Sequence, residues 1–400
     1  MSMKKTHNVK TLLRAGALLA VAVTGGNLAQ AQTCSVSWTG NAGNGSWSTT
    51  GNWSPRKVPG PTSDVYIPTF TTANGAGLDG SASSISVHSI QAAEGGGLLF
   101  GSGKVSIATS LTNRGLISLY GTTLSAGSID LPHLGEIDVF DNSSITSPAF
   151  SNTTGTLWVY PGGTLRLADN PVQLQNGNLS GGIWLVSGVL IIPSDISQIT
   201  TESGAAFDTV VSVDTGATFE DASGNNPLTT LTSVGPNAVL SVPSLTVAQD
   251  LTSQGSVNVG TLTVNGTYTL ESGASAGVGG SLTATSVNVQ QGATLGGGGT
   301  VASSVTNNGN VAPSGTLSVT GNYTQTGSGV LTEQFGSTLH VNSNATLSGA
   351  LNVTVNPKHP PQSGATYTAL TAGSINGSFT SHTAGFTLTT SANSIKVTKQ

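Results

Sequence analysis

Apolar and polar residues alternate along most of this chain in short runs, and a recurring set of these runs opens with a glycine. The recurring phrase is Gly-x-apolar-x-apolar, with copies at 135–139, 155–159, 163–167, 255–259, 260–264, 266–270, 315–319 and 349–353. Successive side chains of a strand point to opposite faces, so each copy has one apolar face and one face of mainly Thr, Ser, Asn or Asp. The pattern predicts short β-strands. We expect their glycines to supply left-handed backbone at the preceding corners.

The spacing of the glycines predicts how these strands are arranged. Gly115, Gly135 and Gly155 follow one another at intervals of 20 residues, and Gly260 and Gly280 repeat that interval. Several short strands within a constant period are typical of one coil of a β-solenoid, whereas a β-sandwich rarely keeps such a register. No apolar period of 3.6 residues supports long helices.

The sequence therefore predicts an all-β protein that folds as a parallel β-solenoid, or β-helix, with about 20 residues per coil and about 15 coils in total. Like residues of successive coils should stack as ladders in its core. Ile117, Ile137 and Leu157 form one such ladder in the 20-residue register.

Three regions depart from the repeat. Residues 32–66 are rich in Trp, residues 171–250 are less regular, and residues 357–400 begin with Pro and lose the strict phrase. The ends of a solenoid expose unpaired strand edges and a cross-section of the core. We therefore expect the first and last of these regions to cap a solenoid of residues 67–356.

Residues 1–31 have the features of a secretory signal peptide. Four basic residues precede an apolar run at 15–23, which is too short to span a bilayer. The small residues Ala29 and Ala31 define a cleavage site, so we expect export and cleavage after Ala31. No later segment is long and apolar enough to predict a transmembrane helix.

Composition and charge then exclude several partners. Only 7% of the residues are charged, and the chain has 54 Gly. Four of the 12 basic residues lie in the signal segment, which leaves eight against 17 acidic residues and a formal charge of −9. This charge argues against nucleic acid and anionic membrane surfaces as partners. Cys34 is the single cysteine, so a disulfide within the chain is excluded, and pairing between chains stays open.

Both ends of the exported part resemble a known family. The N-terminal motifs are Trp38-Thr39-Gly40, Gly45-Ser46-Trp47, Gly51-Asn52-Trp53-Ser54, Val58-Pro59 and Asp64-Val65-Tyr66-Ile67. They resemble the start of bacterial autotransporter-associated β-strand repeat proteins, and residues 299–325 and 363–379 are similar to autotransporter passenger coils. The resemblance implies a right-handed parallel β-helix that is exported and often adhesive. The outer-membrane barrel of that family is not matched up to Gln400, so secretion through a barrel of its own is not expected.

Candidate chemistry lies on one outer face of the predicted solenoid. Glu136 and Asp138 are two residues apart on one strand, Asp141 follows at the corner, and Trp158 falls beside Asp138 in the 20-residue register. Paired carboxylates can perform acid–base catalysis or bind Ca²⁺, and an exposed indole can stack on a sugar. These four residues are the candidate contacts for a glycan or a cation. The alternative is a solvated acidic face beside a packed Trp.

Other polar motifs indicate no further chemistry. The nearest basic residues to the carboxylates are Arg114, Arg166 and His133, and the six His have no metal-ligand spacing. Glu220 and Asp221 are adjacent, so they would face opposite ways on a strand. The run of glycines at 296–299 lacks the Lys-Ser/Thr of a phosphate loop. We expect no metal and no cofactor.

Two functions remain open at this point. The first is a non-enzymatic extracellular or cell-surface protein, adhesin-like or structural, that presents a polar Thr/Asn/Ser face to glycans, matrix or copies of itself. The second is a polysaccharide lyase or hydrolase on a β-helix, with its site at Glu136, Asp138 and Asp141. The low charge and the plain polar coils favour the first.

Overall fold

The computed structural model describes residues 34–69, 78–79, 84–132, 134–201 and 208–400. This part of the chain is an all-β parallel solenoid of about 13 turns with coils of ~20 residues, and 1% of it is helical. The predicted fold class is confirmed, with slightly fewer coils than the expected number. The predicted signal peptide with Ala29 and Ala31, and also His133, lie outside the described residues.

The strands are short because glycines and turns interrupt the chain every few residues. A single turn of 3-10 helix, Thr50–Asn52, is the helical segment in the described part. The strands of the N-terminal half are β1 (Val36–Trp38), β2 (Trp53–Ser54), β3 (Asp64–Ile67), β4 (Leu78–Asp79), β5 (Ser84–Val87), β6 (Ser89–Ala92), β7 (Gly97–Phe100), β8 (Gly103–Asn113), β9 (Leu116–Tyr120), β10 (Thr122–Asp130), β11 (Glu136–Phe140), β12 (Asn142–Thr146), β13 (Phe150–Ser151), β14 (Thr156–Val159), β15 (Thr164–Leu167), β16 (Leu174–Gln175), β17 (Asn178–Leu179), β18 (Ile183–Val186), β19 (Val189–Ile192) and β20 (Gln198–Ile199).

The C-terminal half contains the longest strand, Ser275–Val289 with 15 residues, which pairs with four other strands. Its strands are β21 (Thr209–Val213), β22 (Thr218–Asp221), β23 (Ser233–Val234), β24 (Ala238–Val247), β25 (Leu251–Ser253), β26 (Ser256–Val264), β27 (Thr267–Leu270), β28 (Ser275–Val289), β29 (Thr294–Gly297), β30 (Thr300–Asn307), β31 (Asn310–Pro313), β32 (Thr316–Val319), β33 (Tyr323–Gln325), β34 (Val330–Gln334), β35 (Thr338–Val341), β36 (Asn344–Leu347), β37 (Ala350–Thr354), β38 (Thr366–Thr371), β39 (Ser374–Gly377), β40 (Ser381–His382), β41 (Phe386–Thr390) and β42 (Ser394–Lys399).

The core is built of in-register apolar ladders, as the phrase predicts. The predicted ladder Ile117–Ile137–Leu157 is confirmed, because these residues are direct partners in parallel pairs and are 0–1% exposed. The same ladder extends back to Leu98 and forward as far as Leu351, after which its next partner is the exposed His382. Its members are Leu98, Ile117, Ile137, Leu157, Trp184, Val211, Leu240, Val257, Ala276, Leu295, Val311, Leu331 and Leu351.

The less regular region 171–250 reflects longer coils rather than a break in the solenoid. Successive ladder members at 157, 184, 211 and 240 are separated by 27, 27 and 29 residues, whereas the other steps between Leu98 and Leu351 are 16 to 20 residues. The additional residues of these coils lie between the strands that form the ladder. Some of them form the antiparallel pair β16–β17. The parallel register survives because only the inward residues of each coil need to match.

Antiparallel strands lie at both ends of the described solenoid. At the N-terminal end β2 pairs antiparallel with β1, and Trp53 packs edge-to-face on Trp38 and Trp47, all three at most 3% exposed. Parallel pairing already begins between β1 and β3. At the other end β38, β39 and β40 continue the parallel coils beyond residue 357, and β42 then pairs antiparallel with β38 and β41.

The expected reason for the phrase-opening glycines is wrong for most of them. Of the eight, only Gly315 and Gly349 have a left-handed φ, +84° and +65°. The others are required for close approach between coils. A Cβ atom on Gly135 would lie 2.0 Å from the carbonyl oxygen of Asn113, and one on Gly255 would lie 2.2 Å from that of Ala238. Glycine at these corners removes a clash with the preceding coil rather than relieving backbone strain.

Candidate functional site

The predicted outer ladder at the acidic strand is present. Asp138 of β11 is the direct partner of Ser118 in β9 and of Trp158 in β14. Its neighbours Ile137 and Val139 point inward and are fully buried. The alternation of the phrase therefore places Asp138 on the outer face, as the sequence predicts.

A stack of aromatic rings runs along the corner beside this ladder. Tyr120, Phe140 and Tyr160 occupy equivalent places in three successive coils, with ring centroids 4.6 Å and 4.3 Å apart. The ring of Trp158 stacks on Tyr160 at 4.3 Å, and its Nε1 donates to Ser187 Oγ of the next coil at 3.2 Å. These spacings are close to the rise between coils, about 4.8 Å, so each ring can stack face to face on the next. We call these four residues the aromatic stack.

The aromatic stack alters the environment of Asp138. Although it lies on the outer face, Asp138 is only 6% exposed, and the hydroxyl of Tyr160 is hydrogen-bonded to its carboxylate. Burial and the Asp138 charge together raise the pKa of the Tyr160 hydroxyl above its ordinary value. The sequence did not anticipate this enclosure, because the reach of ring side chains between coils does not follow from alternation alone. Asp138 is therefore a largely buried partner of Tyr160 rather than an open carboxylate on the outer face.

Of the other predicted site residues, Trp158 belongs to the stack, whereas Glu136 and Asp141 are not part of it. Glu136 and Trp158 are partly buried, and Asp141 is exposed at a corner with a left-handed φ of +55°. Arg166 is exposed on β15, which belongs to the other sheet, with β12 and β19. The structure therefore brings Asp138 and Trp158 together but does not place Arg166 among the acids.

Two further polar clusters have structural roles. Asp221 accepts from the backbone N–H groups of Ser223 and Asn225, and these bonds lower its pKa. Near the N-terminal end Asp64 accepts from Ser89 Oγ at 2.6 Å and lies 2.7 Å from His88 Nδ1, which lowers the pKa of Asp64.

His88 and Ser89 both bond to the Asp64 carboxylate, so the Ser89 hydroxyl is not held by the His88 imidazole for nucleophilic attack. Within the residues that the structure describes, no group of three or more His, Cys, Asp and Glu side chains could hold a metal ion. No helix in the described residues has the length and apolar character that a membrane span requires.

A shallow groove continues along the same corner where the aromatic stack ends. Two cavities of about 540 and 420 Å³ meet at Asp214 and Thr215. Their walls include the residues that follow Tyr160 at equivalent places in later coils. We call this row, with the space above it, the corner groove: Ser187, Asp214, Pro243, Gly260, Gly279, Gly298 and Ser314.

The start of the corner groove is tied to the aromatic stack by hydrogen bonds. Trp158 Nε1 donates to Ser187 Oγ, and Ser187 Oγ donates to Asp214 Oδ2 at 2.6 Å. Asp214 is exposed and is the single charged side chain among the described residues that line the two cavities. Sequence reasoning missed both features. Aromatic residues at 120, 140 and 160 repeat the 20-residue interval of the glycines and give the signal for the stack.

Comparisons of the chain with known proteins identified no relative. No family model matches the chain, and no curated protein or solved structure shows significant similarity to it. The β-solenoid fold is therefore established by the structure, and the function is inferred from the geometry of its surface.

Replacing Tyr160 with Phe should destabilise the protein by about 1–2 kcal/mol, because it removes a hydrogen bond to the buried Asp138 carboxylate and keeps the stacked ring. The matched control is Tyr120→Phe, which deletes the same atom from another ring of the stack and should change stability by less than about 0.5 kcal/mol. Urea unfolding followed by tryptophan fluorescence measures both. Equal losses of stability in the two variants would show that the hydrogen bond from Tyr160 to Asp138 does not stabilise the protein.

Proposed function

We propose that this chain is an exported, non-enzymatic β-solenoid that works as an adhesin-like or structural protein at the cell surface or outside the cell. It binds extracellular glycans or matrix through its polar outer face. Export follows from the predicted signal peptide of residues 1–31. The resemblance to autotransporter passenger coils supports the same setting.

The observation that carries the proposal is the in-register outer ladder that follows Trp158. Ser212, Ser241 and Asn258 are direct partners in successive coils, and Gly277 and Gly296 extend the ladder. Leu185 stands between Trp158 and Ser212, so the row after it carries no charge and has polar side chains in three successive coils, followed by two glycines. Such a surface can form many weak hydrogen bonds to a repetitive polymer, and a rigid solenoid keeps them in register.

The enclosure of Asp138 supports binding rather than hydrolysis or elimination. A glycosidase needs two carboxyl groups that both reach the scissile bond. Of the predicted trio, Asp138 is enclosed by the aromatic stack, and Asp141 lies at the corner that follows the strand, as the sequence predicts. The polysaccharide lyase or hydrolase predicted as the alternative therefore has weaker geometric support at this edge.

The test is retention of the purified protein on arrays of neutral and acidic polysaccharides and of extracellular matrix proteins. We expect binding to at least one glycan without release of reducing sugar or unsaturated product. Product release that Asp138→Asn abolishes would overturn the proposal in favour of the enzyme. Fractionation of cells that express the full sequence should place the protein outside the cytoplasm.

A further inference from the structure

We infer that the corner groove is the binding site and that its ligand is a neutral linear glycan lying along the solenoid axis. This inference rests on the proposed function and makes it specific. From Tyr160 to Ser314 the row of equivalent corner residues advances by seven coils. At the coil spacing this is roughly 34 Å. A groove of that length accommodates an oligosaccharide rather than a single sugar.

The charge of the groove selects the class of glycan. Asp214 is its single charged side chain, and no Lys, Arg or His is among the described residues that line it. An acidic polysaccharide would meet a carboxylate with no cation to balance it, which is unfavourable. A neutral sugar gains from the same carboxylate, because Asp214 can accept hydrogen bonds from adjacent sugar hydroxyls.

The shape of the groove favours a sugar chain with one apolar side. Glycines form much of the floor, and Val213 and Pro243 contribute apolar surface beside the hydroxyl of Ser241 and the amide of Asn258. Pyranose rings carry both C–H groups and hydroxyls, so they match such mixed walls.

The backbone of the floor argues against a peptide ligand. Gly277 is paired with Asn258 on one side and Gly296 on the other, so its coil neighbours already use its backbone groups. A bound peptide would find no free strand edge and could not extend the sheet. Side-chain hydroxyl, amide and carboxylate groups remain, and these suit sugar hydroxyls.

The hydrogen bonds at the head of the groove give Asp214 a fixed orientation. Ser187 Oγ donates to Asp214 Oδ2, and Ser187 is itself held by the indole N–H of Trp158. Asp214 lines both cavities, so its carboxylate is available there as an acceptor for the ligand. A preorganised carboxylate loses less entropy on binding than a mobile one.

The test blocks the groove without disturbing the coil. Gly279 lines the groove, is exposed and has no atom within 4 Å of an added Cβ, so Gly279→Trp places an indole in the cavity. Gly327→Trp is the matched control, because Gly327 is exposed in a turn outside the groove and the nearest atom to an added Cβ is 4.0 Å away. Asp214→Asn removes the charge and leaves the shape.

Binding is measured with cellohexaose, xylohexaose, mannohexaose and chitohexaose as neutral probes, and with oligogalacturonate and alginate oligomers as acidic probes. We expect at least one neutral hexasaccharide to bind, with affinity reduced about tenfold or more by Gly279→Trp and unchanged by Gly327→Trp. Asp214→Asn should reduce the affinity severalfold. Circular dichroism confirms that each variant keeps its β structure.

The outcomes separate this inference from the broader function. Binding that Gly279→Trp leaves intact overturns the groove as the site but leaves glycan adhesion standing. Binding of acidic oligomers alone, or of an extended peptide that competes with the sugar, also overturns the inference. Failure of every glycan and matrix component to bind overturns both the inference and the proposed function.

Discussion

Gly135→Ala should destabilise the solenoid by about 3 kcal/mol, one of the largest effects expected of any single methyl group in this chain. The added Cβ would lie 2.0 Å from the Asn113 carbonyl oxygen and 3.0 Å from that of Pro132. Both contacts are with backbone, so no side chain can rotate away. The coil must move instead, and this movement strains the hydrogen bonds from Glu136 N to Gly115 O and from Thr156 N to Gly135 O, each 2.8 Å.

Gly279→Ala is the matched control for this prediction. The substitution is identical, but an added Cβ at Gly279 has no neighbour within 4 Å, and the backbone there is not left-handed. We expect unchanged stability or a gain of less than about 1 kcal/mol, because alanine lowers the entropy of the unfolded chain. Equal losses for the two variants in chemical unfolding would show that close approach of coils is not what requires glycine at position 135.

The repeat made the fold predictable because every coil of a solenoid uses the same local arrangement of strands and turns. The 20-residue interval predicts that Ile137 pairs with Ile117 and Trp158 with Asp138, and both pairings are present. The long coils between residues 157 and 240 were less predictable, since their extra chain lies outside the ladders and obeys no period. The reason for glycine was also misjudged. A one-dimensional pattern shows where the chain turns but not how closely the preceding coil approaches.

The candidate site was predictable only in part, for a related reason. Alternation assigns each residue to the inner or outer face, but burial on the outer face depends on neighbouring side chains. Asp138 was placed on the correct face, yet Tyr160 and its stacked neighbours enclose it. The corner groove exists because the glycines of its floor have no side chains to fill the space. A run of glycines is not a motif for binding or catalysis, so the sequence did not predict the groove. One departure from the phrase does indicate a special residue. Residues 329–333 form a further copy of the phrase, and Glu333 stands in it where the other copies have an inward apolar residue.

Glu333 should make the stability of the protein fall as the pH rises through neutrality. Its side chain is fully buried inside β34, where Oε1 accepts from the backbone N–H of Leu339 and Oε2 accepts from the Tyr367 hydroxyl, each at 3.2 Å. Burial raises the pKa of Glu333 to about 9 from an ordinary value of 4.5, more than the two hydrogen bonds lower it. The carboxyl group is therefore protonated in the folded protein at neutral pH.

The sign of the pH dependence follows from proton counting. Between pH 4.5 and about 9 the folded state holds a proton on Glu333 that the unfolded state has released. The free energy of unfolding that this group contributes is complete below pH 4.5 and falls by about 1.4 kcal/mol per pH unit across the window. From pH 5 to pH 7 the loss is about 3 kcal/mol.

Glu333→Gln isolates this contribution from those of the other acidic groups. A glutamine amide has the shape of the protonated acid, can accept from Leu339 N–H, and can bond to the Tyr367 hydroxyl, but it does not titrate. We expect the variant to match the wild-type protein at pH 5 and to be about 3 kcal/mol more stable at pH 7. Exposed Glu94→Gln is the matched control. Urea unfolding at both pH values measures the difference, and a Glu333→Gln effect that is the same at pH 5 and pH 7 would show that this carboxyl group is not held protonated by its burial.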